Sequence, residues 1–312
     1  MRRPDAPPLS RARTLLPLAL LGATAASTLW AGFDLSPGEP PAARLRAAAL
    51  YAGTLLAIVV AHELGHLAAA RRHRVQTSPP YFIPFPLGLP GMLGAFIRLP
   101  SLLPSRAAVL DIGAAGPLAG FVVALPLLLL GYSSSTLAQA VPGERPGAIF
   151  QSPASLVLAL LHHEPLADPS SSAPLLGDSL LTWLATRLTL THGALPSQLM
   201  VQPGPVALGA WVGLYVTMLN LLPVGQFDGG HICHAIFGRR AKALGRLFSW
   251  LVLALGLFAS WSWLALFALI RALGVSHPEP LDTRPVEAWR RGVALACLAV
   301  LALSFVPVAF WL

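Results

Sequence analysis

An all-α polytopic membrane protein, with about six transmembrane helices and one re-entrant loop that has room for β structure, is the fold predicted by three features of this 312-residue chain. Hydrophobic residues make up 55% and charged residues only 11%, where a soluble domain carries roughly a quarter charged. Mean hydropathy is +0.67. Apolar runs of about 20 residues recur, the length that crosses a hydrocarbon core of about 30 Å, and clusters of basic residues punctuate them. These features exclude a disordered chain, a secreted disulfide scaffold and a soluble enzyme as descriptions of the whole. Cys233 and Cys297 lie in or beside apolar runs and form no disulfide framework.

Thr14 to Phe33 carries no charge and follows Arg2, Arg3, Arg11 and Arg13, which predicts a first span with its amino terminus inside. A cleaved signal peptide is the alternative, because Ala23-Thr24-Ala25 resembles a small-residue cleavage site. Asp34 to Ala43, with Pro37, Gly38, Pro40 and Pro41, reads as a short outside loop. Ala47 to Ala70 is the second span, and Arg71, Arg72 and Arg74 mark its inside end. Residues 77–104 are apolar but broken by prolines and glycines, so a re-entrant segment lining a cavity is expected there. Ala107 to Leu130 is the third span, rich in small residues that permit close helix contact.

Residues 132–204 read as an outside region, with Ser155 to Leu161 and Ser179 to Leu190 as short interfacial or packed segments. Pro205 to Leu222 returns inside as a fourth span, ahead of Arg239, Arg240, Lys242 and Arg246. Phe248 to Ile270 and Val293 to Leu312 supply spans five and six. Strict alternation then puts Arg271, Arg284, Arg290 and Arg291 outside, against the charge rule. A hairpin pivoting near Ser260 to Ser262 would restore the rule, but arms of roughly 13 residues reach only about 20 Å. The expected division is 1–46 as an amino-terminal anchor, 47–237 as the core, and 238–312 as a basic loop with two further spans.

The net charge of +8 comes from 21 Lys+Arg, all arginine except Lys242. Their placement at span ends fits membrane topology, and no nucleic-acid partner is expected.

Within the second span, His62-Glu63-Leu64-Gly65-His66 puts two imidazoles at i and i+4 on one helical face with a glutamate beside them. That arrangement suits one Zn2+. Ionisable groups inside a span cost at least about 2.5–3.5 kcal/mol each, so they mark function by default. A catalytic zinc takes three protein ligands and an exchangeable water. Asp228, near the inside end of the fourth span, is the best third candidate, and Asp111 is the rival, which helix-dipole preference also explains. His231 reads as structural, and His73 and His234 as flanking or packing residues. His162-His163 with Glu164 falls on the other side of the membrane.

His62-Glu63-x-x-His66 together with Asn220-x-x-Pro223-x-x-x-Phe227-Asp228-Gly229 resembles the site-2 protease family of intramembrane zinc metalloproteases. Phe227 stands where that family usually has Leu. The resemblance spans about residues 55–237, and no PDZ or CBS segment is legible. It implies zinc ligation by His62, His66 and Asp228, Glu63 as general base, and Asn220 as a side-chain amide bonding substrate backbone or oxyanion. It also implies that Gly94, Ala95, Phe96 and Ile97 add a strand to an unwound substrate. The expected substrate is a membrane-anchored protein cut within its transmembrane helix, in regulated release of a tethered factor. The expected setting is the bilayer of a bacterial cytoplasmic membrane, with the site near the cytoplasmic face. A non-catalytic zinc-binding membrane protein and another type of H-E-x-x-H membrane protease are the competing readings.

Overall fold

The computed structural model describes residues 11–35, 38–100, 102–139, 152–154, 157, 175–191, 199–274, 280–308 and 310–311. Four helical segments among them are long and apolar enough to cross a membrane: Leu15–Asp34, Pro41–Arg72, Arg106–Ser133 and Asp228–Phe258. Helix α1 (Arg11–Asp34) and helix α2 (Pro41–Arg72) match the first two expected spans. Proline in the first turn of α2 needs no amide partner there, and Arg71 and Arg72 favour the negative end of its dipole. Helix α3 (Arg106–Ser133) starts at Ser105, whose hydroxyl accepts from the Ala108 amide at 3.2 Å.

Between α2 and α3 lies an antiparallel hairpin of β1 (Tyr81–Pro84) and β2 (Met92–Phe96), with Phe82 opposite Ala95 and Ile83 opposite Gly94. The expected irregular segment therefore does contain β structure. Its turn is held from two helices: Ser27 Oγ donates to the Gly91 carbonyl at 2.7 Å and Tyr51 Oη to the Pro90 carbonyl at 2.9 Å. Phe82 and Met92 pack with Tyr51, Leu55 and Val59 of α2, whereas Val75 and Leu103, which flank the hairpin, pack together with Ala70. The chain thus leaves and rejoins one end of the bundle, and the hairpin turn reaches well along α2.

Beyond α3, β3 (Thr136–Gln139) pairs with β5 (Leu199–Gln202), and β4 (Leu175–Leu176) with β6 (Phe310–Trp311). Helix α4 (Leu180–Thr186) buries Leu181 and Ala185 against the bundle, as expected of a packed sub-spanning segment. Ser155 to Leu161 and His162-His163-Glu164 fall almost wholly outside the described residues. Helix α5 (Pro205–Asn220) lies where the fourth span is expected, but with 16 residues, about 24 Å, it is one of the shorter apolar helices and not one of the four of spanning length.

Helix α6 (Asp228–Phe237) leads through a short 3-10 turn into α7 (Ala241–Phe258), which is followed by α8 (Trp261–Leu273) and α9 (Ala288–Ser304). The expected single span over Phe248 to Ile270 is therefore corrected: the helix breaks at Ala259, and Ser260 starts a new one, accepting from the Ser262 amide at 3.4 Å. Gly256 and Leu264 meet where α7 and α8 fold back on each other. The estimate of about 13 residues per arm holds for α8, which has 13, and fails for α7, which begins at Ala241 and takes Lys242 and Arg246 into an 18-residue helix. The expected span over Val293 to Leu312 is also shifted, because α9 begins at Ala288 and stops at Ser304, ahead of Pro307.

This hairpin changes the placement of the last loop. Arg290 pairs with Asp111 at 2.8 Å, and Asp111 also meets His73, so the starts of α9 and α3 and the end of α2 share one end of the bundle. At the opposite end Trp263 Nε1 donates to the Pro307 carbonyl, and β6 joins β4. Arg284, Arg290 and Arg291 consequently fall beside Arg71 and Arg72 rather than across from them. Strict alternation does not fit this arrangement, because a helical hairpin that turns back leaves both of its ends at one end of the bundle.

Candidate metal centre

His62 and His66 lie one turn apart on α2, and both are buried. Their Nε2 atoms converge on one carboxylate oxygen: Asp228 Oδ2 is 3.1 Å from His62 Nε2 and 3.3 Å from His66 Nε2. Two close approaches bring this about. Gly65 faces the Ala115 carbonyl, and a methyl group at Gly116 would sit 2.1 Å from His66 Nε2, so α3 lies directly against the histidine face. Any side chain on α3 at that position would occupy the site.

Asp228 comes from the turn that follows α5. Val224 donates to the Leu222 carbonyl at 2.7 Å and Phe227 to the Val224 carbonyl at 3.2 Å, folding Leu221 to Phe227 into a tight reversal. The next residue must let this loop lie on the first turn of α6, since a Cβ at Gly229 would meet the Leu221 carbonyl at 2.0 Å. Glycine there lets the loop and helix touch and directs Asp228, the first residue of α6, toward α2. Asn220 is the last residue of α5, half-buried, at the entry to the same reversal.

The donor set fits zinc. His66 Nδ1 lies 2.7 Å from the Ile112 carbonyl, an acceptor, so the ring proton of the neutral imidazole belongs on Nδ1. Nε2 then presents a lone pair toward a carboxylate oxygen 3.3 Å away, and two acceptors at that distance require a positive charge between them. Ligands about 2.0–2.1 Å from a tetrahedral zinc lie about 3.3 Å from one another, close to both measured separations. Glu63 is 3% exposed, and its Oε2 has no hydrogen-bond partner. Its carboxylate lies within 4.8 Å of the ligand nitrogens of His62 and His66. A buried carboxylate oxygen without a donor is suited to receiving a proton.

The rival candidate Asp111 is elsewhere. It sits in the second turn of α3, where Arg290 and His73 engage it, so the dipole explanation is replaced by an ion-pair cluster. His231 lies one turn after Asp228, with its Cβ toward Gly113 of α3, and His234 is buried on α6. Gly94, Ala95 and Phe96 are in β2, and Ile97 follows it. Val59, which packs with the hairpin's Phe82 and Met92, is one turn before His62 and Glu63. Sequence reasoning missed the Ile112 carbonyl, because a backbone acceptor leaves no mark on residue type. It also misjudged Asp111, a carboxylate at the head of an apolar run that pointed to a distant cation.

A helical membrane bundle that holds the two histidines of an H-E-x-x-H helix against a carboxylate 162 residues further on defines a zinc-metallopeptidase type of centre. The chain belongs to Peptidase family M50, whose profile matches residues 50–262. It is 31% identical over 259 residues to the probable zinc metalloprotease EGY1, chloroplastic, of Arabidopsis thaliana, covering 81% of this chain and 42% of that protein. The EGY1 of Oryza sativa subsp. japonica is also 31% identical, over 81% of this chain and 39% of its own. The EGY2 of Oryza sativa subsp. indica is 30% identical over 260 residues, covering 81% and 42%. The chain thus spans about two fifths of the length of these relatives. No solved structure matches it. Family and apolar helices together support a membrane location, but chloroplastic relatives lend no support to a bacterial one.

Proposed function

We propose that this protein is an intramembrane zinc metalloendopeptidase that hydrolyses peptide bonds in the transmembrane segments of membrane-anchored proteins. The observation that carries the reading is the approach of His62 Nε2 and His66 Nε2 to one oxygen, Asp228 Oδ2, at 3.1 and 3.3 Å, beside an unpartnered Glu63 oxygen. His62, His66 and Asp228 would hold one Zn2+, which when bound lowers the pKa of water toward about 7 and polarises the scissile carbonyl. Glu63 takes the proton from the attacking water and delivers it to the leaving amine. Its burial, at 3% exposure, keeps bulk water from competing for that carboxylate. Asn220 donates its amide to the substrate backbone or to the developing oxyanion.

A substrate helix must unwind before its carbonyl is accessible. Strand β2 is suited to receive it: Gly94, Ala95 and Phe96 lie on one side of a two-stranded hairpin with Ile97 next in the chain, and an extended substrate segment adds along its open edge. The hairpin dips into the bilayer from the end of the bundle that carries Arg71, Arg72, Arg284 and Arg290, and that end faces the inside by the positive-inside rule.

The zinc-to-protein ratio of the purified protein tests this reading. Wild type and Glu63→Ala are expected to hold one zinc each, and Asp228→Ala to lose it. A folded, metal-supplemented wild type without zinc would overturn the mechanism in favour of a non-catalytic membrane protein.

A further inference from the structure

Arg290 makes a two-point contact with Asp111, Nε to Oδ1 at 2.9 Å and Nη2 to Oδ2 at 2.8 Å, and His73 Nε2 reaches the same Oδ2 at 2.8 Å. The three side chains are only 12%, 16% and 19% exposed, and Arg290 Nη1 is taken up by Glu287. A forked guanidinium on a carboxylate fixes orientation as well as distance. Here it fixes the second turn of α3 to the first turn of α9 and, through His73, to the end of α2. The residue after Asp111 is Ile112, whose carbonyl holds His66 Nδ1 at 2.7 Å. Gly113 and Gly116 then carry α3 past the Asp228 carbonyl and the His66 ring. Cys297 and Val300 of α9 share a buried core with Val109, Leu110, Ile112 and Ala114, so α9 supports this stretch of α3 along its length.

We propose that Arg290, acting through Asp111 with His73, is a positioning residue for the zinc centre: it sets the α3 turn whose Ile112 carbonyl orients the His66 imidazole. The inference rests on the zinc-peptidase reading. It brings into the working site a helix beyond residues 50–262, the stretch that the family profile matches. A carbonyl that receives the second ring proton of a metal-bound histidine fixes its tautomer and direction, and loss of such a partner costs about 10–100-fold in metal affinity. Arg290 stands one step behind that carbonyl, so a smaller loss is expected.

The test uses the 312-residue chain in detergent, with Arg290→Gln, Asp111→Asn and Arg290→Lys. Zinc affinity is read by competition with a chromophoric chelator, the ligand field by the visible spectrum of the cobalt-substituted form, and stability by thermal unfolding. Arg290→Gln and Asp111→Asn are expected to weaken zinc binding by about 3- to 10-fold and to alter the cobalt bands. Arg290→Lys keeps the charge without the fork, and should do both to a smaller degree even where Arg290→Gln does not yield folded protein. Wild-type zinc affinity and cobalt spectrum in the folded variants, with or without a loss of thermal stability, would overturn the proposal, because a merely structural ion pair lowers stability alone. A wild type that takes up no zinc would overturn the peptidase reading and this inference with it. Zinc-loaded wild type beside unaltered variants overturns the inference alone.

Discussion

Helices α2 and α7 are both apolar and both long enough to contribute to a membrane span, yet they solve different problems. Helix α2 buries His62, Glu63, His66 and Ala70 against α3, which meets it with Ala115, Gly116 and Gly120. Helix α7 buries one narrow stripe, Gly245, Ser249, Val252 and Gly256, and turns Leu247, Trp250, Leu251 and Phe258 outward. Lipid tails are as apolar as leucine, so hydropathy alone does not say which face meets protein and which meets lipid. Small residues do. Where backbones touch, a polar atom can be delivered to a fixed place, and where large apolar residues face out, the helix only needs to stay in the bilayer.

The sharpest way to break this contrast is at the buried centre. Glu63→Gln is expected to lower cleavage of a transmembrane substrate by about 10²–10⁴-fold while zinc content stays at the wild-type level, because it removes the proton acceptor and no ligand. Comparable turnover in Glu63→Gln would place the base elsewhere. Next in size is the hairpin beside α2. A proline scan from Ala95 to Leu99 removes the backbone amides of the proposed docking edge one at a time, and the best-placed substitution should reduce cleavage about 5- to 10-fold by losing one or two hydrogen bonds. If every proline variant cuts as well as wild type, strand addition on β2 is wrong.

Glycine substitutions compare the two helices directly through thermal unfolding. Gly116→Ala drives a methyl group into His66 and should cost about 1–3 kcal/mol with loss of zinc, as overpacking does. Gly245→Ala in α7 meets only the Pro223 carbonyl, 3.6 Å from the added methyl, and should be neutral or gain up to about 1 kcal/mol of helix propensity. Equal destabilisation at both sites would erase the distinction. The smallest perturbation is a label. Arg284 is 87% exposed, and both native cysteines are buried, so Arg284→Cys should react with a membrane-impermeant thiol reagent from the same side as Arg72→Cys. Reaction from opposite sides would restore the alternating topology and overturn the helical hairpin at Ser260.

Much of the centre was legible in the residues because its chemistry is local. The i, i+4 spacing of His62 and His66 puts both rings on one helical face whatever surrounds them, and Glu63 follows with them. The first three spans could be read the same way, since charge-free runs that end in arginine report only on the bilayer. Asp228 needed its Asn-Pro-Asp-Gly surroundings and a family likeness, because no periodicity links it to a helix so far away in the chain.

In the sequence, arm length argues against a break at Ser260. Serine and tryptophan inside an apolar run are compatible with a continuous helix, and the packing of Gly256 on Leu264 with the Ser260 cap favours the turn. The clamp of Arg290 on Asp111 joins positions 179 residues apart. Neither residue type names its partner. By itself, then, the sequence determined the class of protein, the helix that carries His62, Glu63 and His66, and the metal-binding chemistry open to those residue types. Tertiary structure decided which carbonyl holds His66, which end of the bundle Arg290 occupies and what supports α3, because contacts between distant segments depend on how closely the backbones pack, which hydropathy does not encode.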